Sequence, residues 1–291
     1  MNVRALSAWC LAGSAAAFAC ANEPPTSSSD GDPAKTHVVV SVDRTDSSSD
    51  APGSASAMAR FVSVPAFSDA SRVLTAAGAT LDLPAADTCQ TSGGQEDLEP
   101  PLPSQGPVEL LEAGDVAITA GDSTTPLVPH AFPTVGGFAS GVLYATKDRT
   151  EGALPSAVPY AIQTTGSDTV PALHLVAEAP RTPTNVSMSG TTLRETTEAH
   201  TARPMDFTWL PGDAGDLVYV ELLAYDGSAS VLCTFRDEAG TGTIPANAFQ
   251  GTGSGRIAVH RQRSRHVETV TGQAAEIHFD FQVGVSLDFA K

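Results

Sequence analysis

The stretch IHFDFQVGVSLDF (277–289) decides the fold class. Ile277, Phe279, Phe281, Val283, Val285, Leu287 and Phe289 are apolar, and His278, Asp280, Gln282, Gly284, Ser286 and Asp288 alternate with them. A period of two sends one set of side chains to a buried face and the other toward water. A helix would scatter the apolar set around its circumference. The run is longer than the usual strand of about 5–6 residues, so a bulge is expected at Gly284.

Working outward, strands are predicted at 205–209, 217–223, 230–235, 256–261 and 266–271. Turns rich in Gly and Asp separate them: PGDAG (211–215), Asp226-Gly227 and GTGSG (251–255). Strands recurring at this spacing predict an all-β sandwich. The first half reads similarly, with strands at 60–64, 80–83, 108–111, 116–119, 141–146, 160–164 and 173–177, a short helix at 69–77 and a long loop at 93–107. Pro180 and Pro183 mark a joint, because proline fixes φ and removes a donor. The expected organisation is a signal peptide (1–19), a flexible tether (20–58), an N-terminal β-sandwich domain (59–180) and a C-terminal sandwich domain (181–291).

Composition agrees. Of 291 residues, 41% are hydrophobic, enough for a packed core, while 25 Gly and 21 Pro favour short strands and turns. The net charge of −17 opposes polyphosphates and excludes nucleic-acid binding through a basic surface. Most of the excess acid lies in residues 61–180, with 14 acids against 3 bases.

The N-terminus sets an address. Arg4 precedes an apolar run (5–18), and Ala17-Phe18-Ala19 forms a small-x-small cleavage site before Cys20. The run is shorter than the roughly 20 residues a membrane span needs. Ala17-Phe18-Ala19-Cys20 resembles a bacterial lipobox, with Ala17 where that pattern prefers a branched aliphatic residue. The resemblance implies lipidation of Cys20; the alternative is simple cleavage that leaves Cys20 a free thiol. Parity bears on the choice: with Cys10 removed, a lipidated Cys20 leaves the even pair Cys89 and Cys233 for an oxidising compartment. Residues 21–56 are mostly Ser, Pro, Asp and Ala, a tether composition.

Four segments of the second half carry a family resemblance: FTWLPG (207–212), VLCTFRD (231–237), GTIPANAF (242–249) and GTGSGRIAV (251–259). They resemble a module of secreted proteins and lipoproteins in myxobacteria and similar Gram-negative soil bacteria. The resemblance covers roughly residues 184–290. It implies an immunoglobulin-like sandwich outside the cytoplasm and transfers no catalytic residue.

Motifs of chemistry are sparse. G-x-S-x-G, S-x-x-K, H-E-x-x-H and a P-loop are all missing, and GTGSG lacks dinucleotide-loop spacing. His260, His266 and His278 share the parity opposite the apolar face, so they either face solvent or meet as a metal site on adjacent strands. Cys89 and Cys233 either bond or remain separate thiols, with Cys233 sharing the parity of Val231 and Phe235. Asp213 with Asp216, and Asp115 with Asp122, read as solvated turns or as weak cation ligands.

The basic cluster is HRQRSRH (260–266). A strand carried through it would line Arg261, Arg263 and Arg265 up with Ile257 and Val259, an odd place for charge. A hairpin turn is therefore expected near 262–265, with the arginines solvated around it, paired with the acidic first domain or binding an anionic polysaccharide. Trp209 shares parity with Phe207 and reads as core.

The expectation is an envelope lipoprotein with a structural or binding role, not an enzyme: a monomer, membrane-anchored through lipid, with no cofactor, no nucleic acid and a possible glycan or protein partner. The alternatives are a polysaccharide or protein recognition module and a metal-dependent enzyme using the three histidines.

Overall fold

The computed structural model describes residues 34–47, 52–65, 68–93, 108–132, 139–269 and 272–291. The signal, Cys20 and the first part of the expected tether, residues 20–33, lie outside them. The first nine strands are β1 (Lys35–Thr45), β2 (Ser54–Val64), β3 (Thr88–Gly93), β4 (Val108–Leu110), β5 (Val116–Ala120), β6 (Ser123–Phe132), β7 (Ala139–Thr146), β8 (Pro159–Thr164) and β9 (His174–Glu178). The others are β10 (Ser187–Met188), β11 (Thr191–Thr192), β12 (Glu198–His200), β13 (Met205–Thr208), β14 (Leu217–Ala224), β15 (Ala229–Arg236), β16 (Thr241–Ile244), β17 (Gly253–Glu268) and β18 (Ala274–Ala290). A single α-helix among the described residues, α1 (Ala70–Ala76), starts at Asp69, whose carboxylate accepts from the Ser71 amide at 3.0 Å.

The chain is all-β, as expected. One large sheet runs β3-β15-β14-β17-β18-β1-β2-β4-β7-β6-β5-β8-β9, with β12 also on β18; a small sheet runs β11-β10-β13-β16. The small sheet packs Met188, Met205, Phe207 and Ile244 against Val218, Val220, Leu222, Cys233, Val259 and Val285 of the large one, making a two-layer sandwich. Further along, the large sheet curls over itself: Tyr160 of β8 meets Phe279 of β18 edge-on, ring centroids 5.2 Å apart.

The hairpin β17–β18 serves both cores with one face. Ile277, Phe279 and Phe281 belong to the core built by β1, β2 and β5–β9. Val283, Val285, Leu287 and Phe289 belong to the sandwich beside it. Each fully buried Phe contributes about 1.5–3 kcal/mol by removal from water. The predicted cut at residue 180 therefore does not separate two self-contained domains, and residues 33–291 form one unit.

Two further expectations are corrected. Lys35–Thr45, inside the stretch read as tether, is a central strand, parallel to β18 and antiparallel to β2. Averaging over a polar segment hid the run VVVSV (38–42), of which Val38, Val39, Val40 and Val42 are buried. Gly284 makes no bulge: β17 and β18 pair one-to-one from Gly253↔Phe289 to Glu268↔Ala274. Its lack of a side chain serves close approach instead, since a Cβ there would stand 3.0 Å from the Ile257 carbonyl oxygen and 3.2 Å from Arg256 Nε.

Candidate functional site

The arginine cluster is not a solvated turn. β17 runs straight through it, and the reversal comes later, where the Thr269 amide donates to the Gln273 carbonyl. Arg261 and Arg263 do lie in line with Ile257 and Val259, only 2% and 4% exposed. They occupy the seam between the two cores. Arg261 Nε lies 2.7 Å from Asp237 Oδ2, Nη2 donates to Asp237 Oδ1 at 2.9 Å and to the Leu210 carbonyl at 2.6 Å, and Nη1 donates to the Arg181 carbonyl. Arg263 holds Asp216 by two bonds, at 2.7 and 2.6 Å, reaches Asp213 at 2.5 Å and donates to the Glu178 carbonyl. These bonds to Asp216 raise the Arg263 pKa above its ordinary value. Asp216 is thus buried as a partner, while Asp213, Asp115 and Asp122 are exposed. Arg265 is half-buried, opposite Ile277. A glycan surface through Arg261 and Arg263 is excluded by this geometry.

The histidines lie on the outer face of the hairpin, as parity predicts, but they divide into two groups. His266 Nδ1 and His278 Nε2 both contact Glu276, at 3.0 and 3.1 Å. His278 also meets Ser264 Oγ at 2.8 Å through Nδ1, and burial lowers its pKa against the raising effect of Glu276. His260 is elsewhere: its ring stacks on Tyr219 at 4.1 Å, and Nδ1 lies 2.9 Å from Asp280 Oδ1. Asp280 accepts there, so Nδ1 carries a proton, while Nε2 is buried with no hydrogen-bond partner among the described residues. Among those residues no three His, Cys, Asp or Glu side chains converge on a metal position.

Cys89 and Cys233 are bonded. They stand directly opposite each other on β3 and β15, so the bond clamps an edge strand from the first half onto the sandwich of the second. Trp209 is core, its Nε1 donating to the Asp237 carbonyl.

A concave site on the same outer face was not expected. Its floor is Ser41 and Asp43 of β1, Met58 and Arg60 of β2, Gln262 of β17, and His278 and Asp280 of β18; residues 78–81, just after α1, cover it, enclosing about 220 Å³. The parallel pairing sets Asp43 directly beside Asp280. Asp280 is fixed from both sides: Tyr219 donates to Oδ2 at 2.5 Å and His260 holds Oδ1. Burial and then the Asp280 charge push the Tyr219 hydroxyl pKa upward, so it stays a donor. Loss of water in the recess, and then repulsion from Asp280, push Asp43 up to about 6, although one flank of the residue remains open to solvent. Burial lowers the Arg60 pKa, with Asp43 opposing.

Neither Asp43 nor Arg60 makes a hydrogen bond or close ion pair among the described residues. Sequence reading missed Asp43 because it sits on β1, inside the stretch taken for tether; Arg60 opens the predicted strand 60–64, but its neighbour across the sheet, β1, was not foreseen. Asp280 was legible as outward-facing; its juxtaposition with Asp43 depends on a parallel pairing between opposite ends of the chain.

No family model and no curated protein matches the chain. Among solved structures it is similar to the crystal structure of chicken CNTN1 FN1–FN3 domains, at 8% identity over 68% of this chain and 62% of that one, with a TM-score of 0.19. The match thus spans less than two thirds of that chain, and a likeness this weak transfers neither a residue nor a role.

Proposed function

We propose that the chain is a non-catalytic binding protein of the cell envelope, carried outside the cytoplasm by a lipid on Cys20. The observation that carries the binding role is the recess between β1, β2 and β18, where two opposite charges face the same space with no hydrogen bond or close ion pair among the described residues. Pairing such groups with each other would be the simpler way to stabilise a fold, so leaving both open suits a surface that meets a ligand. The Cys89–Cys233 bond supports an oxidising compartment. No helix among the described residues is long and apolar enough to cross a membrane; attachment in this reading is through the lipid on Cys20.

Intact mass of the protein from membranes of its own host, with and without reductant, tests the placement. The expected result is a chain beginning at Cys20 with the added mass of acyl groups, gaining two hydrogens on reduction. An unmodified chain recovered from the soluble fraction would sink the anchor and leave a secreted protein with a free thiol.

A further inference from the structure

We propose that the recess under residues 78–81 binds a small zwitterion of the α-amino-acid type, its ammonium on Asp43 and its carboxylate on Arg60. The proposal rests on the binding role above and names its ligand class.

The assignment follows from which groups are free. Asp280 already accepts on each oxygen, from Tyr219 and from His260, which leaves it the less available carboxylate. His278 has both ring nitrogens committed, to Ser264 and Glu276. Of the charged side chains lining the recess, that leaves Asp43 and Arg60.

Register fixes how far apart their backbones stand. Arg60 lies opposite Val39, four residues along β1 from Asp43. That is about 13 Å of strand between their backbones at roughly 3.3 Å per residue. The guanidinium comes to rest under the cover, its Nη2 3.9 Å from where a Cβ of Gly78 would stand. The two charges therefore line one recess, near enough for each to influence the other's titration yet without a hydrogen bond or close ion pair between them.

A bare cation would satisfy Asp43, with Asp280 behind it, but would leave the guanidinium open. A bare anion would do the reverse and face two carboxylates. A molecule carrying both charges satisfies both groups, by charge-assisted hydrogen bonds at each end. The volume, about 220 Å³, is below the roughly 300–1,000 Å³ of drug-sized pockets, so the ligand is small. Met58 lines the floor, and Leu81, 52% exposed, stands on the cover, an apolar flank suited to an aliphatic side chain.

The test is calorimetric titration of the full mature chain in detergent with the individual L-amino acids. The amine lacking the carboxylate and the acid lacking the amine serve as matched probes. Aliphatic amino acids are expected to bind, and each matched probe to bind about tenfold or more weakly, the factor that 1.4 kcal/mol represents. Asp43→Asn and Arg60→Gln should each weaken amino-acid binding by a similar factor, with far-ultraviolet circular dichroism confirming that both variants fold. Binding of the bare amine as tight as that of the amino acid, lost in Asp43→Asn and kept in Arg60→Gln, would overturn the zwitterion and leave a binding protein of another ligand class. Amino-acid binding indifferent to both substitutions would place it outside the recess and overturn the assignment. Silence from amino acids, amines and acids alike would overturn the ligand class and leave the binding role to a ligand of another kind.

Discussion

Along one face of the β17–β18 hairpin, the ends and the middle are built differently. Toward the tip, Phe279 and Ile277 enter one core; toward the base, Ile257, Val285 and Phe289 enter the other. Between them the same face carries Arg261 and Arg263, equally buried. The difference teaches what a seam between two cores demands. Where the layers part, segments around Glu178, Arg181 and Leu210 turn carbonyl oxygens inward, and those need donors that an aliphatic side chain cannot supply. A guanidinium offers five N–H groups on a long apolar stem, so it can join the strand to several loops at once.

Removing one partner of the seam should have the largest effect. Asp237→Ala leaves Arg261 buried without its counter-charge and deprives the Gly212 amide of its acceptor. Breaking a buried pair from one side costs about 3–5 kcal/mol, measurable by urea unfolding. The double replacement Arg261→Met with Asp237→Leu should lose less than Asp237→Ala, because no stranded charge remains. A loss below about 1 kcal/mol for Asp237→Ala, the size of an exposed pair, would break the contrast drawn above.

The two ends can then be compared directly. Phe279→Ala and Phe289→Ala each delete a buried ring on the same face of β18, one per core, at a cost of about 3–5 kcal/mol. Because the strand is common to both cores, each variant should unfold in a single transition at a lowered midpoint. A variant that kept a second transition at the wild-type midpoint would show two cores that unfold separately.

How much of this the sequence discloses depends on whether the deciding contacts are local. The alternation at 277–289, the α1 segment and the core position of Trp209 follow from neighbouring residues, and each stands in the structure. The seam was hidden by a sound rule with a local exception. Parity placed Arg261 and Arg263 on the apolar face, and the cost of burying charge argued for a turn; the partners that offset that cost, Asp216 and Asp237, lie far along the chain. The recess was hidden for a related reason. Asp43 stands next to Asp280 only because β1 joins β18 in parallel, a pairing of opposite ends of the chain that no short-range pattern signals. Cys89 and Cys233 presented two open readings, and register across β3 and β15 brings them together.

The disulfide is the next test in size. It closes a separation of 144 residues, and its reduction should lower stability by about 2–4 kcal/mol, observed as a fall in Tm under reductant. The segment between β2 and β3, which includes the cover of the recess, is held at its far end by this bond, so proteolysis after reduction should begin there rather than in the hairpin. Cleavage first within β17 or β18 would show that the bond supports the seam instead.

The smallest effect separates the outer face of the hairpin from its inner one. Asp43 titrates near 6 in the fold against about 3.8 unfolded, so between those values the native state binds more protons than the unfolded state. Stability from this group therefore falls as pH rises from about 4 to 6, the opposite of a carboxylate held by a salt bridge. Asp43→Asn removes the charge and should be the more stable protein at pH 7, with the advantage vanishing near pH 4. The open flank of Asp43 lets solvent screen the charge, so the gain should stay below about 1 kcal/mol. His278, whose pKa burial lowers, acts with the reverse sign, favouring the neutral ring and losing stability as pH falls below 6.5. The difference between variant and wild type, taken at each pH, cancels that contribution. A variant less stable than wild type at pH 7, with the deficit closing toward acid pH, would mean that Asp43 is held as a carboxylate by a partner. The ammonium site assigned to it would then already be filled from within the chain.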